Sequence, residues 1–517
     1  MNVQRLSKWT LAVALAAGFA SGCGDASSTD AAGGGDGGGV GIGQGGAQDF
    51  GQFRAILDDG GLPGPETLDD VGFFNEHKLE LPPADCGSDV CVHAELGVMG
   101  NMINGSNCTL VMLGMNTAVD PAQMERPPLN LAIAVDTSGS MEGEPIEYVR
   151  EGLFRMLDDL QPEDRVTLVA FGSEARVAVE HVAGDSPELS IAISNLDANG
   201  STNIYDGLRT AYDAVERNRS EDTTTQNRVI LLSDGVATAG ITSSPQLIDM
   251  SADYNSAGYS LSTIGVGTEF DPALMRQLSE QGAGAFYFLE NPAAVQEVFE
   301  QEVQTFLVPL AQDVTIDFEV DPGYQLRTIY GTKKSEVWGN HGHIEIPSLQ
   351  IAHRTTVSDI EGGRRGGGGA IIAELVPRGA DQAAEAGTVG TLAMRYEAPA
   401  TGDTLEQEFK ITSALAPGET PEEGAFSFAG VEKAFVMLNI YAGFEMAANR
   451  ASYGDYNGAL GVLGPLGEGV EAWLADNPDE DIADDLVYID KFIANLEAAG
   501  GGFPPPEQNP PNPWPND

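Results

Sequence analysis

The chain has 517 residues, with 78 Asp and Glu against 26 Lys and Arg, so its formal net charge is −52 with neutral histidines. A polyanion of this strength repels nucleic-acid phosphates and acidic lipid surfaces, and we expect no nucleic-acid partner. Hydrophobic residues make up 42% of the chain, enough for folded cores, and the length predicts about three or four domains.

The N-terminus reads as an export signal. Residues 1–22 have a basic start, an apolar run over 10–20 and small residues before Cys23, which predicts a secretory signal peptide. The run is about half the ~20 residues that a spanning helix needs. The Ala-Ser-Gly-Cys junction resembles a bacterial lipobox, which implies that Cys23 is acylated and anchors an outer-membrane lipoprotein, periplasmic or surface-exposed. Ordinary cleavage near Ala20, with Cys23 incidental, is the alternative.

Three further cysteines lie close together in the sequence, at Cys86, Cys91 and Cys108. In an exported chain they predict one disulfide and one remaining thiol, paired as Cys86–Cys91 or as Cys86–Cys108. A zinc site is the alternative, although no histidine pair with ligand spacing lies nearby.

The middle of the chain changes pattern at residue 129. Apolar runs begin there and alternate with helical stretches, which predicts a parallel sheet covered on both faces. The predicted strands are 129–135, 166–171, 229–232, 261–266 and 285–289, and the predicted helices include 146–160, 204–217 and 293–306.

The flanking regions have other compositions. A tether at 23–49, with 10 glycines in residues 33–46, is predicted as a flexible coil. In region 50–126, we predict short helices at 52–59 and 66–77 followed by strands. We predict an all-β region at 309–420, a helical region at 421–500 and a disordered proline-rich tail at 501–517. Because a doubly wound domain has its termini close together, we expect the α/β domain at 127–308 to be inserted into a β-sandwich built from the strands on either side.

Hydroxyl and carboxyl side chains gather where the predicted parallel strands end. Asp136 closes the first strand and is followed by Ser138 and Ser140, while Thr202 opens a helix and Asp234 closes another strand. Ligands of open α/β sheets bind at this edge. These hard oxygen donors suit Mg²⁺, with Mn²⁺ or Ca²⁺ as alternatives. Because three of the donors are neutral hydroxyls, the bound ion remains attractive to an acidic residue of a partner.

The Asp-x-Ser-x-Ser, Thr and Asp-Gly set resembles the metal-ion-dependent adhesion site of von Willebrand factor type A (VWA) domains. The resemblance implies a Rossmann-like VWA fold over 127–308 and metal ligation by Asp136, Ser138, Ser140, Thr202 and Asp234. The segments at 52–75 and 370–396, with the helices after 426, are similar to a family of bacterial VWA lipoproteins that carry a C-terminal domain of unknown function. A Ser/Gly turn whose hydroxyls only cap helices is the structural alternative.

Other candidate sites are weaker. We interpret His341 and His343 as a solvated hairpin turn rather than a metal pair, and the acidic segment 476–485 as a solvated helix start rather than a calcium loop. No phosphate-binding, esterase or metalloprotease motif occurs, so we expect no enzyme. The sequence favours a protein that binds a protein or matrix partner, most simply in adhesion; a periplasmic scaffold or assembly factor that uses the same metal site is the alternative.

Overall fold

The computed structural model describes residues 40–43, 50–119, 127–221, 225–234, 236–266, 271–282, 284, 286–289, 309–332, 334–351, 370–399 and 402–502. The predicted signal peptide, Cys23, the helix predicted at 293–306 and the tail from 503 lie outside these ranges. Within the ranges, no helix combines the length and the apolar character that crossing a membrane requires.

The N-terminal region combines short helices with a long hairpin. Its elements are β1 (Val40–Gly43), α1 (Phe50–Asp58), α2 (Asp70–Asn75), β2 (Cys91–Gly100) and β3 (Asn107–Thr117). Strands β2 and β3 pair antiparallel along their whole length, from Cys91 opposite Asn116 to Gly100 opposite Asn107. The turn-rich residues between them therefore form the connection of a hairpin.

The α/β region is a six-stranded sheet with helices on both faces. Its strands are β4 (Leu129–Asp136), β5 (Arg165–Phe171), β6 (Ala175–Ala183), β7 (Gln226–Ser233), β8 (Ser260–Val266) and β9 (Phe286–Leu289), and its helices are α3 (Glu144–Asp159), α4 (Pro187–Ser194), α5 (Ile204–Arg217), α6 (Ser244–Ser256) and α7 (Pro272–Gln281). The strand order is β6-β5-β4-β7-β8-β9, parallel except for β6. All eight residues of β4 are buried because two hydrophobic cores cover its two faces.

Strands on both sides of this domain form one β-sandwich. The later strands are β10 (Pro309–Val320), β11 (Tyr324–Tyr330), β12 (Ser335–Trp338), β13 (His341–Ile351), β14 (Ile371–Pro377), β15 (Thr388–Glu397), β16 (Thr404–Thr412) and β17 (Ala425–Phe426). Strand β14 pairs with β3, and a shared core joins this layer to the layer of β10, β13 and β15. The predicted fold class, a doubly wound α/β domain inserted in a β-sandwich and followed by helices, is confirmed.

The tether prediction is wrong for residues 40–43. Strand β1 pairs with β3, placing Val40 opposite Thr117, and with β13, placing Ile42 opposite Ile351. Strand edges present unpaired backbone groups, and β1 pairs with the last residues of β3 and of β13. Glycine-rich composition therefore did not prevent a strand here, because the hydrogen bonds come from the neighbouring strands.

Three C-terminal helices cover the outer side of the β3–β14 layer: α8 (Ala429–Ser452), α9 (Tyr456–Asp476) and α10 (Glu480–Ala498). Helix α1 packs into the same core, where the ring of Phe53 lies 4.9 Å from that of Phe444. The N-terminal and C-terminal regions therefore share one hydrophobic core.

The acidic segment 476–485 is not a solvated helix start throughout. Asp481 and Asp485 are buried, and each contacts a cationic or imidazole partner. Lys433 Nζ lies 2.9 Å from Asp481 Oδ2, and His77 Nε2 lies 2.8 Å from Asp485 Oδ2. The earlier interpretation is wrong for these two residues because partners from distant parts of the chain compensate their burial.

Candidate metal centre

Strand β4 delivers Asp136 to the carboxyl edge of the sheet. Its side chain is buried, and both carboxylate oxygens accept hydrogen bonds. Oδ1 accepts a hydrogen bond of 2.8 Å from the backbone N–H of Ser138, and Oδ2 accepts one of 2.6 Å from the hydroxyl of Ser233. The carboxylate is therefore oriented by the loop that follows it and by the end of β7.

Three loops meet at this edge: the first follows β4, the second precedes α5 and the third follows β7. The two serines of the first loop link it to the third loop. The hydroxyl oxygens of Ser138 and Ser140 lie 3.0 Å apart, and the Ser140 hydroxyl donates to Oδ1 of Asp234 at 2.9 Å. Ser138 is buried and Ser140 is exposed. The oxygen atoms of the site thus form a row from the buried carboxylate of Asp136 to the exposed residue Ser140.

The second loop brings Thr202 beside the same edge. The backbone N–H of Gly139 donates to the carbonyl of Gly200 at 3.0 Å, which joins the first loop to the second. The carbonyl of Thr202 accepts from the N–H groups of Thr238 and Ala239 at 2.9 and 3.1 Å, which joins the second loop to the third. Gly200 has a φ of 87°, a conformation that glycine adopts readily.

The structure describes some of the other residues that the sequence analysis singled out, and it does not describe others. The structure pairs Cys86 with Cys91 in a disulfide and leaves Cys108 as a buried thiol on β3. Burial raises the pKa of Cys108 well above its ordinary value, which makes it unreactive. The lipidation candidate Cys23 and the Gly235 of the third loop lie outside the described residues.

The electrostatics of the two carboxylates favour a cation. Burial raises the pKa of Asp136, although hydrogen bonds from Ser233 and Ser138 oppose the effect. Burial also raises the pKa of Asp234 to about 6; the hydrogen bond from Ser140 lowers it, and the nearby charge of Asp136 raises it again. Two partly desolvated carboxylates that repel each other are stabilised by a positive ion between them.

The donor set fits a small divalent ion. Mg²⁺ binds oxygen at about 2.0–2.1 Å in octahedral geometry, which places neighbouring ligand oxygens about 3 Å apart. The Ser138–Ser140 and Ser140–Asp234 oxygen distances of 3.0 and 2.9 Å are those of hydrogen bonds, and they are also compatible with this spacing. Among the described residues, no group of three or more His, Cys, Asp or Glu could hold a metal, so a site here depends on its hydroxyls. When bound, the ion supplies a positive centre for a carboxylate.

Sequence reasoning missed Ser233. It lies directly before Asp234 at the end of β7, and its hydroxyl orients Asp136 rather than facing a partner. The Ser-Asp-Gly run was visible in the sequence, but spacing alone could not show that the serine points toward another strand's carboxylate.

Part of the chain is similar to proteins of a known family. Residues 130–301 match the family model of the von Willebrand factor type A domain. The uncharacterized protein YfbK of Escherichia coli is 30% identical over 210 residues, which cover 40% of this chain and 36% of that protein. The inter-alpha-trypsin inhibitor heavy chain H4 of Sus scrofa is 32% identical over 191 residues, which cover 35% of this chain and 21% of that one. The match thus spans well under half the length of either relative.

A solved structure of a von Willebrand factor type A protein from Catenulispora acidiphila covers 75% of this chain and 88% of its own, with 15% identity and a TM-score of 0.49. Domains of the matched family often bind ligands through a divalent metal at a site of this kind, and they act mostly as interaction modules rather than enzymes. Residues 130–301 therefore have the von Willebrand factor type A fold, and the five oxygen-bearing residues lie at the carboxyl edge of its parallel strands.

Proposed function

We propose that this chain is an outer-membrane lipoprotein, anchored through Cys23, whose VWA domain captures a protein or matrix partner. Asp136, Ser138, Ser140, Thr202 and Asp234 hold Mg²⁺, or Mn²⁺ or Ca²⁺ in its place, and the ion binds an acidic residue of the partner. Adhesion is the role that this mechanism serves best. The observation that carries the proposal is the chain of oxygen contacts from Ser138 through Ser140 to Asp234.

The charge of the chain explains why a metal is needed. A protein with a formal net charge of −52 repels an acidic partner at long range. Neutral hydroxyl donors leave much of the charge of a divalent ion uncompensated, so the site forms a local positive centre. The exposed position of Ser140 lets a partner's carboxylate approach that centre.

The experiment is a pull-down from solubilised envelopes with the mature chain as bait. We expect partners that are captured in Mg²⁺ and released by EDTA, and that Asp136→Ala does not capture. The matched control is Asp253→Ala, which removes an exposed carboxylate from α6 of the same domain. Equal capture by wild type and Asp136→Ala would refute the metal-site mechanism.

Location separates adhesion from the scaffold alternative. Protease treatment of intact cells digests an adhesin that faces the medium, whereas a periplasmic assembly factor stays intact behind the outer membrane. An undigested chain, with a control surface protein digested, rejects adhesion and leaves the scaffold role with the same metal site.

A further inference from the structure

The outer face of the β-sandwich layer formed by β10, β12, β13, β15 and β16 carries charged side chains. Along β10, Phe318 points into the core while Asp317 and Glu319 on either side are exposed. The same alternation continues on the neighbouring strands. The exposed acidic residues of this face are Asp317, Glu319, Glu336, Glu345, Glu397, Glu406 and Glu408.

A cavity of about 320 Å³ opens on this face. Trp338 of β12 lines it, and 51% of this residue is exposed, although large aromatic residues are usually buried. The indole ring lies roughly parallel to the ring of His341, at 20° and with the centroids 6.1 Å apart. The histidine therefore supports one side of the indole ring.

The two histidines here do not form the solvated turn that we expected. His341 and His343 lie within β13, opposite β12 on one side and β10 on the other. Nδ1 of His343 lies 2.7 Å from Oδ1 of Asp317, and this hydrogen bond raises the pKa of His343. His343 therefore serves to compensate one carboxylate of the face.

The cavity is nevertheless acidic. Asp317, Glu319 and Glu408 line it, and no lysine or arginine that the structure describes does. Lys410, on the same face of β16 as Glu408, contacts Glu385 at 3.0 Å. Among the described residues, no cation pairs with Glu319 or Glu408 as His343 does with Asp317, so a cation that enters the cavity meets an aromatic ring and carboxylates together.

We propose that this cavity binds a lysine or arginine side chain from a basic segment of a partner protein. The cation lies against the indole face of Trp338, where cation–π attraction acts, and Glu319 and Glu408 supply the counter-charge. An acidic segment is repelled from the same cavity. A neutral sugar could stack on Trp338, but it offers no charge to offset the carboxylates that it desolvates. This site lies outside the VWA domain, has the opposite charge preference and does not rest on the metal centre.

The test uses an acetylated, amidated tetra-arginine peptide titrated calorimetrically into the mature chain with EDTA and 150 mM NaCl. We expect saturable one-to-one binding that weakens at least tenfold in Trp338→Ala and in the double variant Glu319→Gln with Glu408→Gln. Trp338→Phe, which keeps an aromatic face, retains most of the affinity. Glu163→Gln removes an exposed charge from the VWA domain and leaves affinity unchanged.

Two results overturn the proposal. Equal affinity in all the variants means that the peptide binds non-specifically, through the overall negative charge of the chain. Trp338-dependent binding of a neutral probe, chitohexaose, without Trp338-dependent binding of the peptide identifies a sugar site instead. Circular dichroism of each variant confirms folding, and because EDTA is present, failure here does not bear on the metal centre.

Discussion

The hydroxyl of Ser233 donates a 2.6 Å hydrogen bond to Oδ2 of Asp136, although 97 residues separate the two in sequence. Because Asp234 follows Ser233 directly, this contact fixes the distance between the two carboxylate-bearing strand ends. The central carboxylate of the proposed metal centre is thus positioned by a residue that need not touch the ion.

Ser233→Ala tests this positioning role. Without the hydroxyl, Asp136 loses a fixed orientation, and loss of a group that supports a ligand typically weakens metal affinity about 10-fold to 100-fold. Titration calorimetry with Mg²⁺ or Mn²⁺ measures the change. Ser194→Ala, at an exposed serine on α4 that bonds to its own helix, is the control. Unchanged affinity in Ser233→Ala contradicts the role.

The buried pair of His77 and Asp485 ties the N-terminal helices to α10. The His77 ring also contacts the carbonyl of Phe73 through Nδ1, at 2.7 Å. We expect Asp485→Asn to lower the free energy of unfolding by about 1–3 kcal/mol, because a buried charged hydrogen bond is replaced. Urea denaturation measures this loss.

Asp484 is the matched control for that experiment, since it is the adjacent aspartate on α10 and is exposed. Asp484→Asn should change the free energy of unfolding by less than about 0.5 kcal/mol. If both variants lose the same stability, the pair does not contribute as described.

Glu374 makes stability depend on pH. Burial raises its pKa to about 7, and Arg327, with Nη1 at 3.1 Å, only partly opposes the effect. Between pH 4.5 and 7 the folded chain keeps a proton that the unfolded chain has released, so this residue's contribution to stability falls as pH rises. Glu374→Gln cannot ionise.

We therefore expect the free energy of unfolding to fall more steeply with pH in the wild type than in Glu374→Gln, measured by urea denaturation between pH 5 and 8. Glu163→Gln, at an exposed position, should follow the wild-type profile. Parallel profiles for wild type and Glu374→Gln argue against a protonated Glu374 in the folded chain.

The proposed anchor gives a cellular prediction. Cys23→Ser removes the sulfur that would be acylated, so the exported chain should leave the membrane fraction and become extractable without detergent. Immunoblotting of fractionated cells measures this, with Cys108→Ala as a control that changes a cysteine on β3. Retention of Cys23→Ser in the membrane at the wild-type level rejects the lipid anchor.

Sequence patterns predicted most of the α/β domain because its strands are continuous apolar runs. The change from an apolar run to polar residues predicted the end of β4 at Asp136, and the helical spacing of apolar residues predicted the bounds of α5. Strand β6 was missed because it is an edge strand without a fully buried residue, and β1 because its pairing depends on neighbouring strands rather than on its own composition.

Site chemistry was predictable only in part. Loop spacing selected the five oxygen-bearing residues of the candidate site, but the partners of buried charges come from far along the chain. Asp481 contacts Lys433 from 48 residues away, and Asp485 contacts His77 from 408 residues away. Local composition shows that a residue is charged but does not show its partner. For this reason the sequence predicted a solvated helix start at 476–485.

Metal binding by the VWA domain is the central claim, and calorimetric titration of Mg²⁺ and Mn²⁺ into the mature chain tests it most directly. Asp136→Asn keeps the shape of the buried side chain but removes its charge, and Asp253→Asn is the exposed control. We predict one ion per chain for wild type and Asp253→Asn, with binding abolished in Asp136→Asn. Equal binding by all three proteins, or none by the wild type, would contradict the account.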